Sequence, residues 1–350
     1  MRVIISVFLI IVLVFTTVSC SDDITAGELS KEIVDQIKHI QTHFVTSLKP
    51  DCQNMQQVQL DFILYKQDDY DNPIILDPGD PNEIDADKNV ILIMHGWLQD
   101  ANSSGIIKLK NAYLDRYDAN VIILDWSQIA KQAYTVAYCH MQRMSIQISK
   151  FLCHISSNLG VPLNEVHVVG YSLGAQLAGV SAQYVKSKCK KQIGRITGLD
   201  PSGPLFQNLP ERRRLDKGDA GFVDVIHTDQ MKFGYSGSTG SSDFYPNCGQ
   251  AQPGCTTVKD IADDTTLPEI MCSHHRSLDY MIESVGSDHF IGVTCGMCPR
   301  YCRPNIINEI YTVMGEGATP QSRNNNKFYL TTKNVPPYSE GWTLSGAKLP

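Results

Sequence analysis

A serine flanked by glycines stands where an apolar segment gives way to a helix-like segment of small residues. Residues 170–174 read Gly-Tyr-Ser-Leu-Gly and follow the apolar run at 166–169. Glycines allow a strand to turn sharply into a helix, which exposes the serine hydroxyl and directs the helix N-terminus at negative charge developing beside it. The spacing therefore predicts Ser172 as the nucleophile of an acyl-transfer reaction.

A serine hydroxyl is a weak nucleophile unless a base accepts its proton and an acid orients that base. In chains with this strand, turn and helix, the acid follows the serine and the histidine comes last. Asp200 ends the apolar segment 196–199 and suits the acid, although an aspartate before Pro201 is also a common turn residue. His274 and His275 are both candidates for the base, on a predicted loop, and these residues alone do not choose between them.

Acyl transfer also requires two backbone N–H groups that stabilise the oxyanion. Leu173, directly after the nucleophile, supplies one of them, and the loop after an early strand supplies the other. Residues 95–98, His-Gly-Trp-Leu, follow the apolar run at 91–94, so Trp97 is predicted as the second donor. His95 is interpreted as a structural histidine at the end of that strand.

The elements that would position these residues follow from apolar runs that alternate with helical patterns. The predicted strands lie at 59–65, 90–94, 121–124, 166–169, 193–199, 222–227 and 327–330, and the predicted helices at 24–46, 128–158 and 173–186. Residues 68–87 and 229–271 are rich in Asp, Pro and Gly and are predicted to be loops. The alternation indicates a mostly parallel central sheet with helices on both faces. Together with the Gly-Tyr-Ser-Leu-Gly turn and the order Ser, Asp, His, this predicts the α/β-hydrolase fold.

The N-terminus has the order of a secretory signal, with a basic start, an apolar run to Phe15 and small residues before Cys20. That run is too short to span a membrane comfortably, which favours secretion over a transmembrane anchor. The predicted divisions are a signal peptide at 1–20, an N-terminal helical extension at 21–54, one catalytic domain at 55–340 and a tail at 341–350. Ten of the 11 cysteines follow Cys20, an even number typical of disulfides in an oxidising compartment.

The charge balance argues against one class of partner. The net charge is −7 and the sequence pI is about 5.8, so no nucleic acid partner is expected.

Asn102 begins an Asn-Ser-Ser sequon in a polar segment, which predicts a glycosylation site. Cys295, Cys298 and Cys302 lack a histidine at zinc-site spacing, so disulfides are favoured there over a metal.

Seven segments together resemble the pancreatic-lipase family, in particular its short arthropod members and the wasp-venom phospholipases A1. They are MHGW at 94–97, LDW at 124–126, VVGYSLGAQLAG at 168–179, TGLDPSGPLF at 197–206, RLDKGDAGFVDVIHTD at 214–229, DFYPNCGQAQPGC at 243–255 and CSHHRS at 272–277. The resemblance implies that 55–340 is a lipase domain, secreted and monomeric. It also implies cleavage of fatty-acyl esters of glycerolipids at a lipid–water interface, without a cofactor for the chemistry.

The resemblance also chooses the base. The family pattern Cys-x-His-x-Arg-Ser fits only His274, which implies a triad of Ser172, Asp200 and His274. Tyr171 departs from the histidine that is usual at its position, with no loss of chemistry expected. No C-terminal β-sandwich domain is expected either, which argues against a colipase-type partner.

The family further implies a disulfide between Cys255 and Cys272 that closes a lid over the active site. The 16 residues between them, 256–271, resemble the short lids of phospholipases A1 more than the long lids of triacylglycerol lipases. This length favours phospholipase A1 activity, although short-lidded members with broad substrate ranges also exist.

A structural calcium site of the family has a counterpart in the chain. The main-chain carbonyls of Glu211 and Arg214 and the carboxylates of Asp216 and Asp219 match its ligand pattern. An exposed charged turn without an ion is the competing interpretation, and no metal enters the predicted chemistry.

Two other functions compete with lipid ester hydrolysis. Insect yolk proteins resemble the same family as non-catalytic lipid-binding proteins, but they lack a triad residue, whereas this chain keeps all three. A protease of the same fold is the other alternative, and the lipase motifs argue against it. Reaction of the serine with a fluorophosphonate distinguishes a catalytic from a non-catalytic protein.

Overall fold

The computed structural model describes Cys52 and residues 58–230, 232–255, 271–294, 298, 311–321 and 326–341, with the backbone of 343–344 and 347–348. The predicted signal peptide, the predicted helix at 24–46 and the lid segment 256–270 lie outside the described residues. Cys295 and Cys302 lie outside them as well. The described residues all belong to one compact unit, 43–350.

Strands and helices alternate through most of the described chain. The strands are β1 (Asp61–Lys66), β2 (Asp69–Leu76), β3 (Val90–Met94), β4 (Asn120–Asp125), β5 (His167–Tyr171), β6 (Ile193–Leu199), β7 (Ala220–Ile226), β8 (Ser242–Pro246), β9 (Ile291–Val293), β10 (Tyr311–Val313), β11 (Lys327–Leu330), β12 (Thr343–Leu344) and β13 (Ala347–Lys348). The helices are α1 (Ser104–Arg116), α2 (Ser127–Ala130), α3 (Tyr134–Asn158), α4 (Leu173–Cys189) and α5 (Cys272–Val285), with 3-10 turns at Leu163–Glu165, Glu211–Arg213 and Asn247–Gly249.

The first 11 of these strands form one sheet in the order β10-β9-β11-β8-β7-β6-β5-β3-β4-β1-β2. Its centre, from β4 to β11 in that order, is parallel throughout. Antiparallel pairs extend both edges, with β1 and β2 at one end and β9 and β10 at the other. The predicted mostly parallel sheet is confirmed.

The sheet separates two apolar layers, and strand β3 shows how. Leu92 packs into one layer, whereas Ile91 and Ile93 pack into the other, because successive side chains of a strand point to opposite faces. Helices α3 and α4 contribute to the first layer, and α1 and α5 to the second. A strand covered on both sides is apolar throughout, which is why β3, β4 and β5 were predictable.

The prediction that 68–87 is a loop is wrong for its first half, where β2 runs antiparallel to β1 at the sheet edge. Most side chains of β2 are exposed, so its Asp and Asn residues remain hydrated. Pro73 is tolerated there because an edge strand has N–H groups outside the hydrogen-bonded ladder. The composition that predicted a loop reflects exposure at an edge.

The prediction that 229–271 forms loops throughout is also wrong, because β8 lies parallel between β7 and β11 with all five residues buried. Asp243 in this strand accepts hydrogen bonds from the backbone N–H groups of Thr239 and Gly240, at 3.0 and 3.2 Å. His227 Nε2 lies 2.8 Å from the same carboxylate. These partners allow the charged Asp243 to lie in a buried strand. Because β8 contains polar residues, its sequence did not show the apolar run by which buried strands are recognised.

Four disulfides link the described residues: Cys52–Cys139, Cys153–Cys189, Cys248–Cys298 and Cys255–Cys272. The sequence left the pairing of the first three open, and the family implied the fourth. The Cys153–Cys189 bridge joins α3 to the last residue of α4, which runs three residues beyond the predicted end at 186. Within the described ranges, no helix combines the length and apolarity needed to cross a membrane.

Candidate active site

The turn between β5 and α4 places Ser172 at the carboxyl end of the parallel sheet. Its backbone has φ +54° and ψ −117°, a conformation that costs about 1–3 kcal/mol for a residue with a side chain. A Cβ atom on Gly174 would lie 2.3 Å from the carbonyl oxygen of Met94, and one on Gly170 would lie 2.6 Å from Ala175 Cα. Both flanking glycines are therefore required by close backbone approach, as the motif predicted.

Replacing Gly174 with alanine is expected to lower the free energy of unfolding by about 1–3 kcal/mol or more, as overpacking does in cores. The new methyl group would collide with the carbonyl oxygens of Met94 and His95, at the start of the segment 95–98 that is predicted to supply an oxyanion donor. Urea unfolding followed by tryptophan fluorescence measures the loss. Gly286→Ala is the matched control, since a Cβ there meets its nearest neighbour at 4.0 Å; equal stability of the two variants would contradict the packing argument.

Three side chains from distant parts of the chain meet at this turn. His274 Nε2 lies 2.7 Å from Ser172 Oγ, and His274 Nδ1 lies 2.5 Å from Asp200 Oδ2. All three residues are buried. The imidazole thus presents one nitrogen to the serine hydroxyl and holds the other against a carboxylate, the arrangement in which a hydroxyl can lose its proton.

His274 lies in the first turn of α5, so the prediction that it sits on a loop is wrong. Helix α5 packs against α1 on the second apolar layer, which fixes the ring more firmly than a loop would. The carbonyl oxygen of His274 accepts a hydrogen bond from Ser277 Oγ at 2.9 Å. The prediction placed the base on a loop from the usual chain order alone and did not use the apolar positions that follow it, Leu278, Met281 and Val285.

His275 has a different environment from His274. Its ring lies 5.8 Å from the ring of Tyr171, and burial together with the neighbouring His274 lowers its pKa to about 4. His275 is therefore neutral at physiological pH and packs as an aromatic side chain. The structure brings His274, and not His275, to the serine.

The carboxyl group of Asp200 is held from two sides. One oxygen faces His274, and the other accepts the backbone N–H groups of Thr228 and Asp229, at 2.9 and 3.2 Å. These two donors were missed in the sequence, where backbone groups leave no pattern. Their position follows from topology, because they come just after β7, the strand adjacent to β6, and neighbouring parallel strands end at the same edge.

A second buried carboxyl group, that of Asp229, lies beside the first. Burial, and to a lesser extent the charge of Asp200, raise the pKa of Asp229 to about 6. Lys232 Nζ lies 3.5 Å from its Oδ1. Asp229 therefore places a second ionisable carboxyl group near the His274 imidazole.

Residues 95–98, called the oxyanion loop after their predicted role, lie directly against Ser172. A Cβ on Gly96 would be 3.2 Å from Ser172 Cβ, so the loop passes close to the serine. The indole Nε1–H of Trp97 donates to the carbonyl oxygen of Gln132 at 2.7 Å, and its ring meets Tyr134 edge-on at 5.4 Å. The structure therefore places the loop that carries the predicted donor Trp97 against the serine, and holds the Trp97 side chain through Gln132 and Tyr134.

The hydrogen bond that holds the Trp97 indole depends on a break between helices α2 and α3. The sequence predicted one helix over 128–158, but α2 ends at Ala130 and α3 begins at Tyr134. The break frees the carbonyl oxygen of Gln132 for Trp97 and that of Ala130 for the N–H of Leu98, at 2.9 Å. A continuous helix would have used these carbonyls internally.

His95 behaves as the structural interpretation expects. Its Nδ1 donates to the carbonyl oxygen of Gly96 at 3.0 Å, and its Nε2 accepts the backbone N–H of Trp126 at 3.2 Å. The Trp126 indole N–H donates back to the carbonyl oxygen of His95, and the two rings stack at 5.1 Å. The imidazole therefore fixes the start of the oxyanion loop to the end of β4.

The predicted calcium ligands lie in the turn of residues 211–219, called the acidic turn after its three carboxylates, which are those of Glu211, Asp216 and Asp219. The Asp219 carboxylate is buried, and burial raises its pKa to about 7. Asp216 Oδ2 lies 3.4 Å from an Arg214 guanidinium nitrogen. The oxygens suit calcium in chemical type. However, the carbonyl oxygens of Glu211 and Arg214 and the Oδ1 of Asp219 all surround Gln183 Nε2. The turn as folded therefore does not accept an ion without displacing that side chain.

Across the part of the chain that the structure describes, no three His, Cys, Asp or Glu side chains are placed to hold a metal.

The parallel sheet, the serine at the turn after β5 and the aspartate at the tip of β6 together define an α/β-hydrolase. The predicted fold class is confirmed. A family model described as Lipase matches residues 26–338, and the chain belongs to this family.

Curated relatives agree with that assignment. The chain is 34% identical over 253 residues to pancreatic lipase-related protein 2 of Homo sapiens, covering 67% of this chain and 53% of that one. It is 32% identical over 291 residues to pancreatic triacylglycerol lipase of Myocastor coypus, covering 75% and 63%. It is 33% identical over 253 residues to inactive pancreatic lipase-related protein 1 of Canis lupus familiaris, covering 67% and 53%. The predicted pancreatic-lipase family is confirmed, and the chain spans about half to two thirds of these relatives' length.

Proposed function

We propose that the chain is a serine hydrolase that cleaves fatty-acyl carboxylic esters of glycerolipids. The observation that carries this proposal is the unbroken hydrogen-bonded series from Ser172 through His274 to Asp200, with distances of 2.7 and 2.5 Å. The names of its relatives supply the acyl substrate class, since the series alone fixes acyl transfer and leaves the acyl group open.

In the proposed reaction His274 Nε2 accepts the proton of Ser172 Oγ as that oxygen attacks the ester carbonyl carbon. The negative charge on the former carbonyl oxygen is stabilised by the backbone N–H groups of Trp97 and Leu173. His274 then transfers its proton to the leaving alkoxide, which departs as an alcohol and leaves an acyl ester on Ser172. Water, deprotonated by His274, attacks this ester, and the fatty acid and free serine are released.

The competing proposal is a non-catalytic lipid-binding protein. One relative is named inactive, so family membership does not by itself establish activity. The contacts of His274 with both partners favour catalysis, because a binding protein has no need for a serine hydroxyl oriented toward a base. A fluorophosphonate should attach covalently to Ser172, as mass spectrometry of the tryptic peptide would show. Absence of labelling in folded protein would favour the binding protein.

The substrate preference is proposed from the length of the lid segment. We expect phosphatidylcholine vesicles to be hydrolysed at least as fast as a triacylglycerol emulsion, with preference for the sn-1 ester. The bridge between Cys255 and Cys272 closes a short loop, and Cys272 lies only two residues before His274. A cover of this size leaves more of the site open to a polar head group than a long lid would.

Side-by-side rate measurements on the two substrates test this preference, and a mixed-chain phosphatidylcholine identifies the ester that is cut. Release of only the sn-2 acid would contradict the regiochemistry. Cleavage of triacylglycerol without any phospholipid cleavage would identify a neutral lipase with a shortened lid. Both results would leave the proposed acyl-transfer chemistry intact.

We also propose that the protein is secreted and acts as a monomer on glycerolipid at a lipid–water interface. Four disulfides among the described residues support an oxidising compartment. Size-exclusion chromatography of the secreted protein would measure its oligomeric state, and peptide mass analysis would show the processed N-terminus and the use of Asn102.

A further inference from the structure

The acidic turn packs against the helix that follows the nucleophile. Gln176 Oε1 accepts the backbone N–H of Leu215 at 2.8 Å. A Cβ on Gly179 would lie 2.6 Å from Leu215 Cα, so helix and turn are in backbone contact there. Gln176, Gly179 and Gln183 are three and four residues apart and share one face of α4. This face fixes the turn to the helix whose first residue is Leu173.

Three oxygen atoms of the acidic turn converge on one nitrogen. Gln183 Nε2 lies 3.0 Å from the carbonyl oxygen of Glu211, 3.0 Å from that of Arg214 and 2.9 Å from Asp219 Oδ1. A primary amide has two hydrogens for these three acceptors. Three oxygens around one point, one of them from a buried carboxylate, form the surroundings that a hard cation prefers.

The orientation of the amide is fixed by the acceptors. If Gln183 were turned so that Oε1 took this position, four oxygens would face one another without a hydrogen between them. The second oxygen of Asp219 accepts the backbone N–H of Asp216 at 2.8 Å. Each carboxylate oxygen of Asp219 therefore has a donor from within the chain.

We propose that the Gln183 side-chain amide takes the place of a structural cation in this chain, so that the acidic turn is held without calcium. The proposal departs from the calcium site implied by the family resemblance. It concerns the support of α4 and is independent of the proposed hydrolase activity, because no ligand of the turn touches Ser172, Asp200 or His274 in the described contacts.

The first test is the thermal midpoint of the wild-type protein in 2 mM CaCl₂ and in 2 mM EDTA, concentrations of about the order needed for a weak calcium site. The proposal requires the same midpoint in both, and no calcium retained in equilibrium dialysis. A midpoint that rises with calcium would overturn it, since the ion would then displace the amide and bind the native fold.

The second test uses Gln183→Ala, which removes the donor and leaves the three oxygens facing an opening. We expect its midpoint in EDTA to fall by about 2–6 °C, and calcium to restore part of the loss. The double variant Gln183→Ala/Asp219→Asn should lose the calcium response. Gln142→Ala is the matched control, because Gln142 is exposed and its amide donates to Tyr184 Oη at 2.8 Å; its midpoint should change little and ignore calcium.

A Gln183→Glu variant covers the case in which alanine prevents folding. It places a second carboxylate beside Asp219, so the proposal expects a lower midpoint in EDTA and a larger gain from calcium than wild type shows. If Gln183→Ala and Gln183→Glu both melt like wild type in EDTA, the amide does not support the turn and the proposal is wrong. Ester hydrolysis, measured in parallel, reports on the proposed function separately.

Discussion

Replacing Ser172 with alanine is expected to reduce kcat on a short-chain ester by about 10⁴-fold or more, with little change in the free energy of unfolding. Only Oγ is removed, and its close contact is His274 Nε2 at 2.7 Å. The glycines and the packing that shape the turn remain. A residual acceleration of about 10³–10⁴-fold over water should persist, from the oxyanion donors and substrate binding.

Initial rates on a p-nitrophenyl ester and urea unfolding curves together measure the two parts of this result. Ser181→Ala is the matched control, because Ser181 is a buried serine of the same helix whose Oγ donates to the carbonyl oxygen of Leu177 at 2.6 Å. Its activity should stay close to wild type. Near-normal turnover by Ser172→Ala would rule out the proposed nucleophile.

Two adjacent histidines provide the second large contrast. His274→Ala is expected to lose activity to nearly the same extent as Ser172→Ala, because members of one triad act as a unit. His275→Ala should retain most activity, since its ring packs beside Tyr171 and, with its pKa lowered to about 4 by burial, is uncharged at neutral pH. Activity assays on both variants, with circular dichroism to compare folding, make the measurement.

The adjacency of the two positions is what makes this comparison informative. A general folding defect at the start of α5 would affect both variants, whereas loss of the base affects only one. The opposite pattern, an inactive His275→Ala and an active His274→Ala, would show that the sequence motif had been aligned one residue out of register.

The parts of the fold that were predictable are those where sequence and burial agree locally. Strand β3 is buried on both faces, so five apolar residues in a row identified it. Strand β8 is equally buried, yet its Asp243 is stabilised by Thr239, Gly240 and His227, which supply hydrogen bonds that no strand pattern contains. Helix α5 was missed for a different reason, because its apolar residues Leu278, Met281 and Val285 follow a helical repeat that the prediction of a loop around His274 overlooked.

The candidate site shows the same division. Ser172 was identified because the turn requires glycines. Asp200 was identified because it follows the next strand after the serine, where this fold class places the acid. His274 was distinguished from His275 only through the resemblance to a family. The donors that hold Asp200 and the carbonyl that anchors Trp97 are backbone atoms, so side-chain types at Thr228 and Gln132 gave no indication of them. The interpretation of the lid remains a prediction.

The break between α2 and α3 bears on how this chain can change in evolution. The connection at 131–133 is short and exposed, and such surface connections usually tolerate inserted or deleted residues. Here the carbonyl oxygen of Gln132, in the middle of that connection, holds the indole of Trp97 beside the nucleophile. A change in length at this point would move the carbonyl oxygen of Gln132 and with it Trp97, the proposed oxyanion donor. The length of this exposed connection is therefore constrained by its contact with Trp97.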